Sequence, residues 1–354
     1  MSHFFIEKYS NLIPYTPGEQ PKDRKFVKLN TNESPFPTQE CAVKAAKKAA
    51  ESSQLYSDPE CSEFRHALAK HFDVDYDMTI AVNGSDEILN FAFMAFCDEK
   101  CPALFPDITY GFYPVFADLS RIPYKTFPLN EDFTVDINPY KNTFGTVFIA
   151  NPNAPTGIAL TLSQIEELVA SNPGRVVVVD EAYVDFGTES AVPLVKKYPN
   201  LLVTQTFSKS RSMAGARLGF GIGQKELITD LNTIRYSTNP YNVNSLTLAM
   251  GKAVLENDGV TLERCRVIAE NREWAKGELK RCGFTVTPSL ANFIFASHPE
   301  VAGDEIYSRL REKGVLVRHF TSERIREYNR ITVGSKEQME ILIKCIEEIL
   351  EEVK

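Results

Sequence analysis

Lys209 lies in a setting that favours covalent chemistry by its amine. Residues 201–203 are an apolar run typical of a buried strand, and Thr206, Ser208 and Lys209 follow it directly. Arg217 comes eight residues after the lysine. A lysine amine can form a Schiff base with an aldehyde cofactor, while hydroxyls and a guanidinium can bind a phosphate on that cofactor. Because an exposed Ser-Lys turn has the same sequence, the prediction depends on the rest of the chain.

A carboxylate and a tyrosine follow a second apolar run. Residues 176–179 are four valines, the pattern of a parallel strand buried on both faces, and Asp180 and Tyr183 come just after them. Ligands of open α/β sheets bind at the carboxyl ends of the strands. Asp180 there could hold the nitrogen of a protonated pyridine ring, and Tyr183 could donate a hydrogen bond to an oxygen on that ring. The alternative is that Asp180 caps a following helix.

A turn after a third strand pattern has the features of a phosphate site. Residues 79–82 are followed by Gly84, which permits a tight turn, and by a helical run that opens with Ser85 and Asp86. The free N–H groups and the dipole of a helix N-terminus attract anions. Many strand-to-helix turns share this pattern, so it supports the other two segments without deciding the chemistry alone.

Composition and charge argue against several classes of function. The chain has 354 residues and a net charge of −8, which argues against nucleic acid or an anionic membrane surface as a partner. The seven cysteines and five histidines show no metal-ligand spacing, so we predict no metal site and reduced thiols in the cytoplasm. The sequence has no signal-peptide pattern and no run of ~20 apolar residues, so we expect neither export nor a membrane span.

The elements that position these residues alternate between strand and helix. From about residue 56 to residue 244 the pattern is βα, which predicts a mostly parallel sheet between helices. Residues 146–150 are another buried strand, and Thr161 with Gln164 predicts a capping box at the start of the next helix.

The pattern changes after residue 245 and predicts a smaller α+β domain. It consists of a long helix over 261–282, short strands at 293–295 and 330–333, and a last helix that opens at Ser335. We predict three parts of the chain: an N-terminal arm and helix joining the small domain (1–45), a large domain (46–245) and a small C-terminal domain (246–354).

The order of short motifs along the chain resembles that of the fold-type I pyridoxal-phosphate aminotransferases. The motifs are Gly-Ser-Asp-Glu (84–87), Tyr-Gly-Phe-Tyr (110–113), Asn-Pro-Asn-Ala-Pro-Thr-Gly (151–157), Asp-Glu-Ala-Tyr (180–183), Ser-Lys (208–209), Ala-Gly-Ala-Arg (214–217) and Arg-Ile-Thr-Val-Gly (330–334). Pro-Tyr-Thr-Pro-Gly (14–18) and Asn-Thr-Asn-Glu-Ser-Pro (30–35) narrow the resemblance to the histidinol-phosphate branch. The resemblance implies a seven-stranded sheet in the large domain.

The resemblance also implies roles for individual residues. Lys209 would form the Schiff base and carry protons to and from the substrate, and Tyr110 would stack on the ring of pyridoxal phosphate, although an isolated tyrosine is as often a core residue. The residues implied to bind the cofactor's phosphate are Ser85, Asp86, Thr206, Ser208 and Arg217. Tyr56 resembles a tyrosine that reaches the phosphate site of the neighbouring subunit, which implies a homodimer with shared active sites.

The chain departs from the family pattern at Ala154. The family has an asparagine before Pro-Thr-Gly that bonds the ring oxygen of the cofactor, and alanine has no donor for that bond. We expect Tyr183 to make this contact with help from Asn153. The Ala154-Pro155 bond is a candidate for the cis form.

Two arginines are the expected substrate ligands. Arg330 matches the position that binds the substrate's carboxylate in aminotransferases, and Arg318 ends a likely strand nearby. Histidinol phosphate has no carboxylate, so both guanidiniums would bind its phosphate and, in the second half-reaction, glutamate. Arg318 in a surface ion pair is the alternative. Tyr15 and Asn32 are further candidates for substrate contacts.

The activity implied by the resemblance is the interconversion of histidinol phosphate and imidazole-acetol phosphate, with 2-oxoglutarate and glutamate as the partner pair. An aromatic amino-acid aminotransferase and an O-phosphothreonine decarboxylase of the same fold are the alternatives. A non-catalytic sensor domain fused to a DNA-binding module is a third, but the basic helix-turn-helix that it requires is missing from the sequence.

Overall fold

The computed structural model describes residues 2–353, which form strands and helices in α/β order. The strands are β1 (Val27–Lys28), β2 (Thr79–Val82), β3 (Ala103–Pro106), β4 (Tyr124–Phe127), β5 (Thr146–Ala150), β6 (Val177–Asp180), β7 (Leu201–Thr206), β8 (Gly219–Ile222), β9 (Thr285–Val286), β10 (Phe293–Ser297), β11 (Val315–Leu316), β12 (Arg318–His319) and β13 (Tyr328–Thr332). The helices are α1 (Glu40–Ala50), α2 (Ser62–Phe72), α3 (Ser85–Phe96), α4 (Phe112–Ser120), α5 (Leu162–Ala170), α6 (Val192–Val195), α7 (Lys225–Thr238), α8 (Ser245–Leu255), α9 (Asp258–Arg281), α10 (Gly303–Glu312) and α11 (Lys336–Val353).

A seven-stranded sheet forms the centre of the large domain. Its order is β2-β8-β7-β6-β5-β3-β4, and its neighbours are parallel except that β8 runs antiparallel to β2 and β7. This confirms the predicted mostly parallel seven-stranded sheet. The valine strand β6 lies in its middle, where Val177 and Val179 pack in one core and Val178 packs in the core on the other face. All three valines are fully buried, as a strand covered on both faces requires.

The capping box predicted at Thr161 forms at the start of α5. Thr161 Oγ1 accepts a hydrogen bond from Gln164 N at 3.2 Å, and Gln164 Oε1 accepts one from Thr161 N at 2.9 Å. A reciprocal pair of hydrogen bonds between Ser335 and Gln338 opens α11 in the same way. Both helices therefore begin where the sequence signal placed them.

A four-stranded antiparallel sheet, β12-β13-β10-β9, forms the small domain together with α9, α10 and α11. The N-terminal arm joins it, because β1 pairs in parallel with β11. Helices α1 and α8 pack on the large sheet instead: Ala42, Val254 and Leu255 belong to one of its two cores. The domain boundaries at residues 45 and 245 stay a prediction. No helix within residues 2–353 is long and apolar enough to cross a membrane.

Candidate active site

Segments that are far apart in the sequence meet in a cavity of about 380 Å³ at the carboxyl ends of β5, β6 and β7. Nine of the predicted site residues line it: Ser85, Asp86, Tyr110, Asp180, Tyr183, Thr206, Ser208, Lys209 and Arg217. The cavity thus combines an amine, buried and half-exposed carboxylates, two tyrosines and an anion-binding set. This is the location that open α/β sheets favour for ligands.

Lys209 extends into this cavity from the loop that follows β7. Its Nζ donates a hydrogen bond to Thr31 O at 3.3 Å and lies 5.9 Å from the centre of the Tyr183 ring. Within residues 2–353, its amine has no other hydrogen bond and no carboxylate partner. The amine is therefore held at the cavity wall while its nitrogen remains accessible for a reaction.

One corner of the cavity is built to bind a dianion. Gly84 adopts a positive φ of 78° and leads into α3, so the N–H groups of Ser85 and Asp86 are left without partners inside the helix. Arg217 donates to Asp86 Oδ2 at 3.1 Å and to Ser208 Oγ at 3.4 Å. Thr206 Oγ1 donates to Ser208 Oγ at 3.0 Å. Helix dipole, guanidinium and hydroxyl donors together favour a phosphate here.

Two glycines leave the space that this corner needs. A Cβ on Gly84 would lie 2.5 Å from Arg217 Nη2, and a Cβ on Gly219 would lie 2.6 Å from the backbone nitrogen of Ser85. Real side chains do not tolerate such distances without a shift of the backbone or of the arginine. The phosphate corner is therefore shaped by the absence of two side chains as well as by its donors.

Asp180 is a buried carboxyl group whose hydrogen bonds are long. It accepts from Ala182 N at 3.3 Å and from the hydroxyls of Tyr113 and Thr204 at 3.4 Å each. Burial, together with the nearby charge of Asp86, raises the pKa of Asp180 to about 7. The 3₁₀ turn at Val184–Phe186 has no side-chain cap, so Asp180 is not a helix cap. A carboxylate in this state is a fitting partner for a protonated ring nitrogen.

Two tyrosines flank the space between Asp180 and Lys209. Tyr110 OH donates to Asp86 Oδ1 at 2.5 Å, and burial raises the pKa of Tyr110 well above its ordinary value. Tyr183 OH accepts a hydrogen bond from Asn32 Nδ2 at 3.0 Å. Asn32 thus touches the site through Tyr183, and the Tyr183 hydroxyl keeps its own proton for donation into the cavity.

Asn153 and Ala154 lie in a turn with two cis peptide bonds, Asn151-Pro152 and Ala154-Pro155. Ala154 lines the cavity, but Asn153 does not. The Asn153 amide donates to Ile108 O at 2.9 Å and to Thr156 Oγ1 at 3.2 Å, and its oxygen accepts from Thr109 Oγ1 at 2.8 Å. Because its amide holds the turn together, Asn153 has little capacity left for a ligand, and Tyr183 is the better candidate for a ring-oxygen contact.

A second pocket of about 260 Å³ adjoins the first and shares Tyr110 and Ala154 with it. Arg318, Arg330 and Tyr15 line this pocket, and Tyr15 stacks on Phe112 with ring centres 4.2 Å apart. Three of the four predicted substrate residues are thus brought together beside the cavity, whereas Asn32 does not line this pocket.

The two arginines lie directly opposite each other, because β12 pairs with β13 in the register Arg318 to Arg330. Arg330 donates to Asn30 O at 3.2 Å, and its buried Nε has no partner within residues 2–353. Arg318 donates to Thr16 O at 3.1 Å. Burial lowers the pKa of Arg330 below its ordinary value. Like charges opposite each other destabilise a sheet unless an anion lies between them, so this pair favours a bound anion.

Tyr56 is not part of either pocket. It is 83% exposed and stacks on Tyr241 with ring centres 4.5 Å apart. Within one subunit it has no contact with the phosphate corner, so its predicted role needs a second subunit.

Several residues of the site were not indicated by the sequence alone. Thr31, Glu33 and Gln20 line the cavity, and Tyr113 donates to Asp180. Glu33 and Thr31 belong to the motif at residues 30–35, and Tyr113 closes the motif at 110–113. Those motifs were the available signal, but they do not say which of their members face a ligand.

A family profile and two sequence relatives indicate one family, and a solved structure shares the fold. The profile of the aminotransferase class I and II family matches residues 24–346. The chain is 45% identical to histidinol-phosphate aminotransferase of Brachyspira hyodysenteriae, over 99% of both chains. It is 46% identical to histidinol-phosphate aminotransferase 1 of Bradyrhizobium diazoefficiens, over 99% of this chain and 100% of the relative. Among solved structures, histidinol-phosphate aminotransferase from Sinorhizobium meliloti in complex with pyridoxal-5'-phosphate superposes with a TM-score of 0.90 at 21% identity, covering 100% of this chain and 99% of that chain.

Proposed function

The chain belongs to the aminotransferase class I and II family, and we propose that it transfers an amino group between histidinol phosphate and 2-oxoglutarate. The observation that carries the choice of substrate is the opposed pair Arg318 and Arg330 beside the cavity. Two guanidiniums on facing strands match a phosphate dianion in charge and in hydrogen-bonding geometry. The names of the relatives at 45% and 46% identity support the same substrate.

Pyridoxal phosphate is the cofactor that we propose for the cavity. When bound, it supplies an aldehyde that takes up the amino group and a ring that withdraws electrons from the neighbouring carbon. Ser85, Asp86, Ser208 and Arg217, with Thr206, would bind its phosphate. Asp180 would hold its ring nitrogen, and Tyr110 would cover its ring. The long hydrogen bonds of Asp180 and the room left by the two glycines support this fit.

Lys209 would bond to the cofactor in the resting enzyme and move protons during turnover. With the substrate in place, Lys209 Nζ would take the proton from the carbon that bears the substrate nitrogen. Its position near Thr31 O and the Tyr183 ring keeps the amine at the cavity wall for that transfer. Tyr183 OH, oriented by Asn32, would donate to the cofactor's ring oxygen in place of the missing asparagine.

Arg318 and Arg330 would bind the substrate end that does not react. In the first half-reaction this end is the phosphate of histidinol phosphate, and in the second it is a carboxylate of 2-oxoglutarate or glutamate. Both anions suit a guanidinium pair, so one pocket serves two substrates of different shape. Tyr15, which lines the same pocket, is our candidate for a contact with the imidazole end.

The enzyme would act as a homodimer in the cytoplasm. Leu55 and Tyr56 are 67% and 83% exposed and Tyr241 is 43% exposed, a group of large side chains that suits a contact with a second copy. Tyr56 would then reach the partner's phosphate corner. All seven cysteines are free thiols, which fits a reducing compartment.

A comparison of histidinol phosphate with histidinol tests the substrate assignment. The two compounds share the amine and the imidazole and differ only in the phosphate. Two charge-assisted contacts contribute ~1.5–3 kcal/mol each, so we expect a kcat/KM on the order of a hundredfold or more higher for the phosphate ester. In Arg318→Ala this ratio should fall sharply. Equal use of both compounds by the wild-type enzyme would remove the phosphate from the proposal.

A further inference from the structure

The pocket that holds Arg318 and Arg330 also contains a carboxylate. Asp107 lines it, in the loop that follows β3 and leads to Tyr110. A free carboxylate beside a phosphate site repels the incoming anion. The Asp107 side chain is 28% exposed, so solvent and salt weaken this repulsion without removing it. The pocket therefore needs a group that cancels the charge of Asp107.

Arg324 is that group. Its Nη1 donates to Asp107 Oδ2 at 2.7 Å, and its Nη2 donates to Leu129 O at 2.9 Å and to Asn130 O at 3.3 Å. The other carboxylate oxygen, Asp107 Oδ1, accepts from Leu129 N at 3.0 Å. Both oxygens of Asp107 are therefore bonded, and the guanidinium has three acceptors on the large domain.

The pair joins the two domains at the outer wall of the pocket. Arg324 lies in the 3₁₀ turn Glu323–Ile325 of the small domain, and Ile325 lines the pocket. Ile325 also packs with Ile108 and Leu129. Ile108 follows Asp107 in the chain, and Leu129 itself supplies one acceptor of Arg324. The apolar contacts can hold this wall without the ion pair, so removing the charge of Arg324 should leave the wall in place.

We propose that Arg324 is a specificity-determining residue, which admits a phosphate dianion to the pocket by neutralising Asp107. This inference rests on the proposed function, because it takes the phosphate group as the ligand of Arg318 and Arg330. Arg324 acts through Asp107 and is a positioning residue. The ligand class is a phosphate monoester. A substrate without an anionic group at this end gains nothing from the neutralisation of Asp107 by Arg324.

The decisive experiment is a pair of single variants and their combination. In Arg324→Ala, an uncompensated Asp107 should raise the KM for histidinol phosphate on the order of tenfold while leaving kcat nearly unchanged. In Arg324→Ala with Asp107→Asn, the repulsive charge is gone and most of the affinity should return. A role confined to holding the wall predicts the opposite, because the double variant has lost the ion pair from both sides and should be at least as weak.

Three controls separate the possible causes. Arg326→Ala removes a neighbouring arginine whose partner is the exposed Glu327 at 3.2 Å, and it should leave the KM unchanged. Histidinol, which lacks the phosphate, should have the same KM in wild type and in Arg324→Ala. If Arg324→Ala fails to fold, Arg324→Gln keeps most of the side chain and allows the same comparison.

Calorimetric binding of inorganic phosphate to the pyridoxal-phosphate enzyme tests the inference without turnover. The dissociation constant should rise in Arg324→Ala and recover in the double variant. If the double variant recovers neither the KM for histidinol phosphate nor the dissociation constant for inorganic phosphate, the inference is wrong. It is also wrong if the KM is unchanged in Arg324→Ala. Failure of the wild-type enzyme to use histidinol phosphate would instead overturn the proposed function, while the phosphate titration would still judge the role of Arg324.

Discussion

Asp180 is a buried carboxyl group whose environment destabilises the protein without its cofactor. The residue is 4% exposed, and the pKa of its carboxyl group is raised to about 7 from an ordinary value of 3.8. Well below its ordinary pKa of 3.8 the group is protonated in both the folded and the unfolded chain, and its burial then has no effect on the free energy of unfolding. As the pH rises to about 7, the unfolded chain loses this proton more readily, so the stability of the fold falls.

Asp180→Asn should therefore stabilise the cofactor-free protein in a pH-dependent manner. At pH 8 we expect the variant to exceed wild type in unfolding free energy by ~2–4 kcal/mol, and at pH 4 by less than ~1 kcal/mol. Thermal or urea unfolding of both proteins at the two pH values measures the difference. Glu181→Gln is the matched control: the pKa of Glu181 is also raised to about 7, but that side chain does not line the cavity.

Pyridoxal phosphate should stabilise wild type more than Asp180→Asn, and it should not distinguish wild type from Glu181→Gln. A ring nitrogen with a positive charge stabilises the carboxylate of wild type and not the amide of Asp180→Asn. The cofactor should thus raise the unfolding temperature of wild type and of Glu181→Gln more than that of Asp180→Asn. Equal stabilisation of all three proteins would argue that Asp180 does not face the ring.

Strands β7 and β8 carry the phosphate corner, and β8 does so by lying very close to the loop before α3. Gly219 begins β8, and a Cβ there would lie 2.6 Å from both Gly84 C and Ser85 N. Because these neighbours are backbone atoms, they cannot rotate away as a side chain would. The strand thus fixes the position of the helix N-terminus that would receive the cofactor.

Gly219→Ala should weaken cofactor binding. Overpacking of this kind costs ~1–3 kcal/mol, which corresponds to roughly five- to hundredfold weaker binding if the strain falls on the loop. Titration of the cofactor-free protein with pyridoxal phosphate, followed by absorbance, gives the dissociation constant. Gly174→Ala is the control, since that exposed glycine has no heavy atom within 4 Å of the added Cβ. An unchanged constant in Gly219→Ala would mean that the corner can relax.

The strands with the strongest sequence signal were predicted well, and they hold most of the site. β2, β5 and β6 are short apolar runs, and their carboxyl ends lead to Ser85, the turn at Ala154 and Asp180, so the order of motifs also predicted their meeting. The opposition of Arg318 and Arg330 was not predictable, because it depends on the pairing of β12 with β13 over a separation that no local pattern encodes. The ion pair between Asp107 and Arg324 was not predictable for the same reason, because the two residues meet only when the two domains pack.

The two domains share the site. Ala154, Tyr183 and Phe186 from large-domain loops belong to the apolar core of the small domain, and Tyr183 packs edge-on against Phe293 with ring centres 5.0 Å apart. Asp180 ends β6 and Lys209 follows β7 of the large sheet, while Arg318 and Arg330 lie in β12 and β13 of the small sheet. Cofactor and substrate phosphate would thus be held by different domains, and their relative position depends on how the domains pack.

Mixing of two weakened homodimers tests the proposed second subunit. If Tyr56 serves the partner's phosphate corner, Tyr56→Ala and Lys209→Ala proteins mixed under exchange conditions should regain activity. One site of each heterodimer keeps both residues, so random exchange should restore about a quarter of the wild-type rate. Mixing Lys209→Ala with Asp180→Asn is the control. Both residues line one chain's own cavity, so each site of that heterodimer lacks one of them, and activity should not recover whether or not Tyr56 is shared. Verified heterodimers without recovered activity would argue that each site is built from one chain.

Steady-state turnover with three amino donors tests the whole account most directly. The purified protein, loaded with pyridoxal phosphate and supplied with 2-oxoglutarate, is given histidinol phosphate, phenylalanine or O-phosphothreonine, and glutamate and carbon dioxide are measured. We expect glutamate from histidinol phosphate with a kcat/KM on the order of a hundredfold or more above that for phenylalanine, no carbon dioxide from O-phosphothreonine, and no turnover by Lys209→Ala. Faster transamination of phenylalanine, or release of carbon dioxide from O-phosphothreonine, would contradict the account.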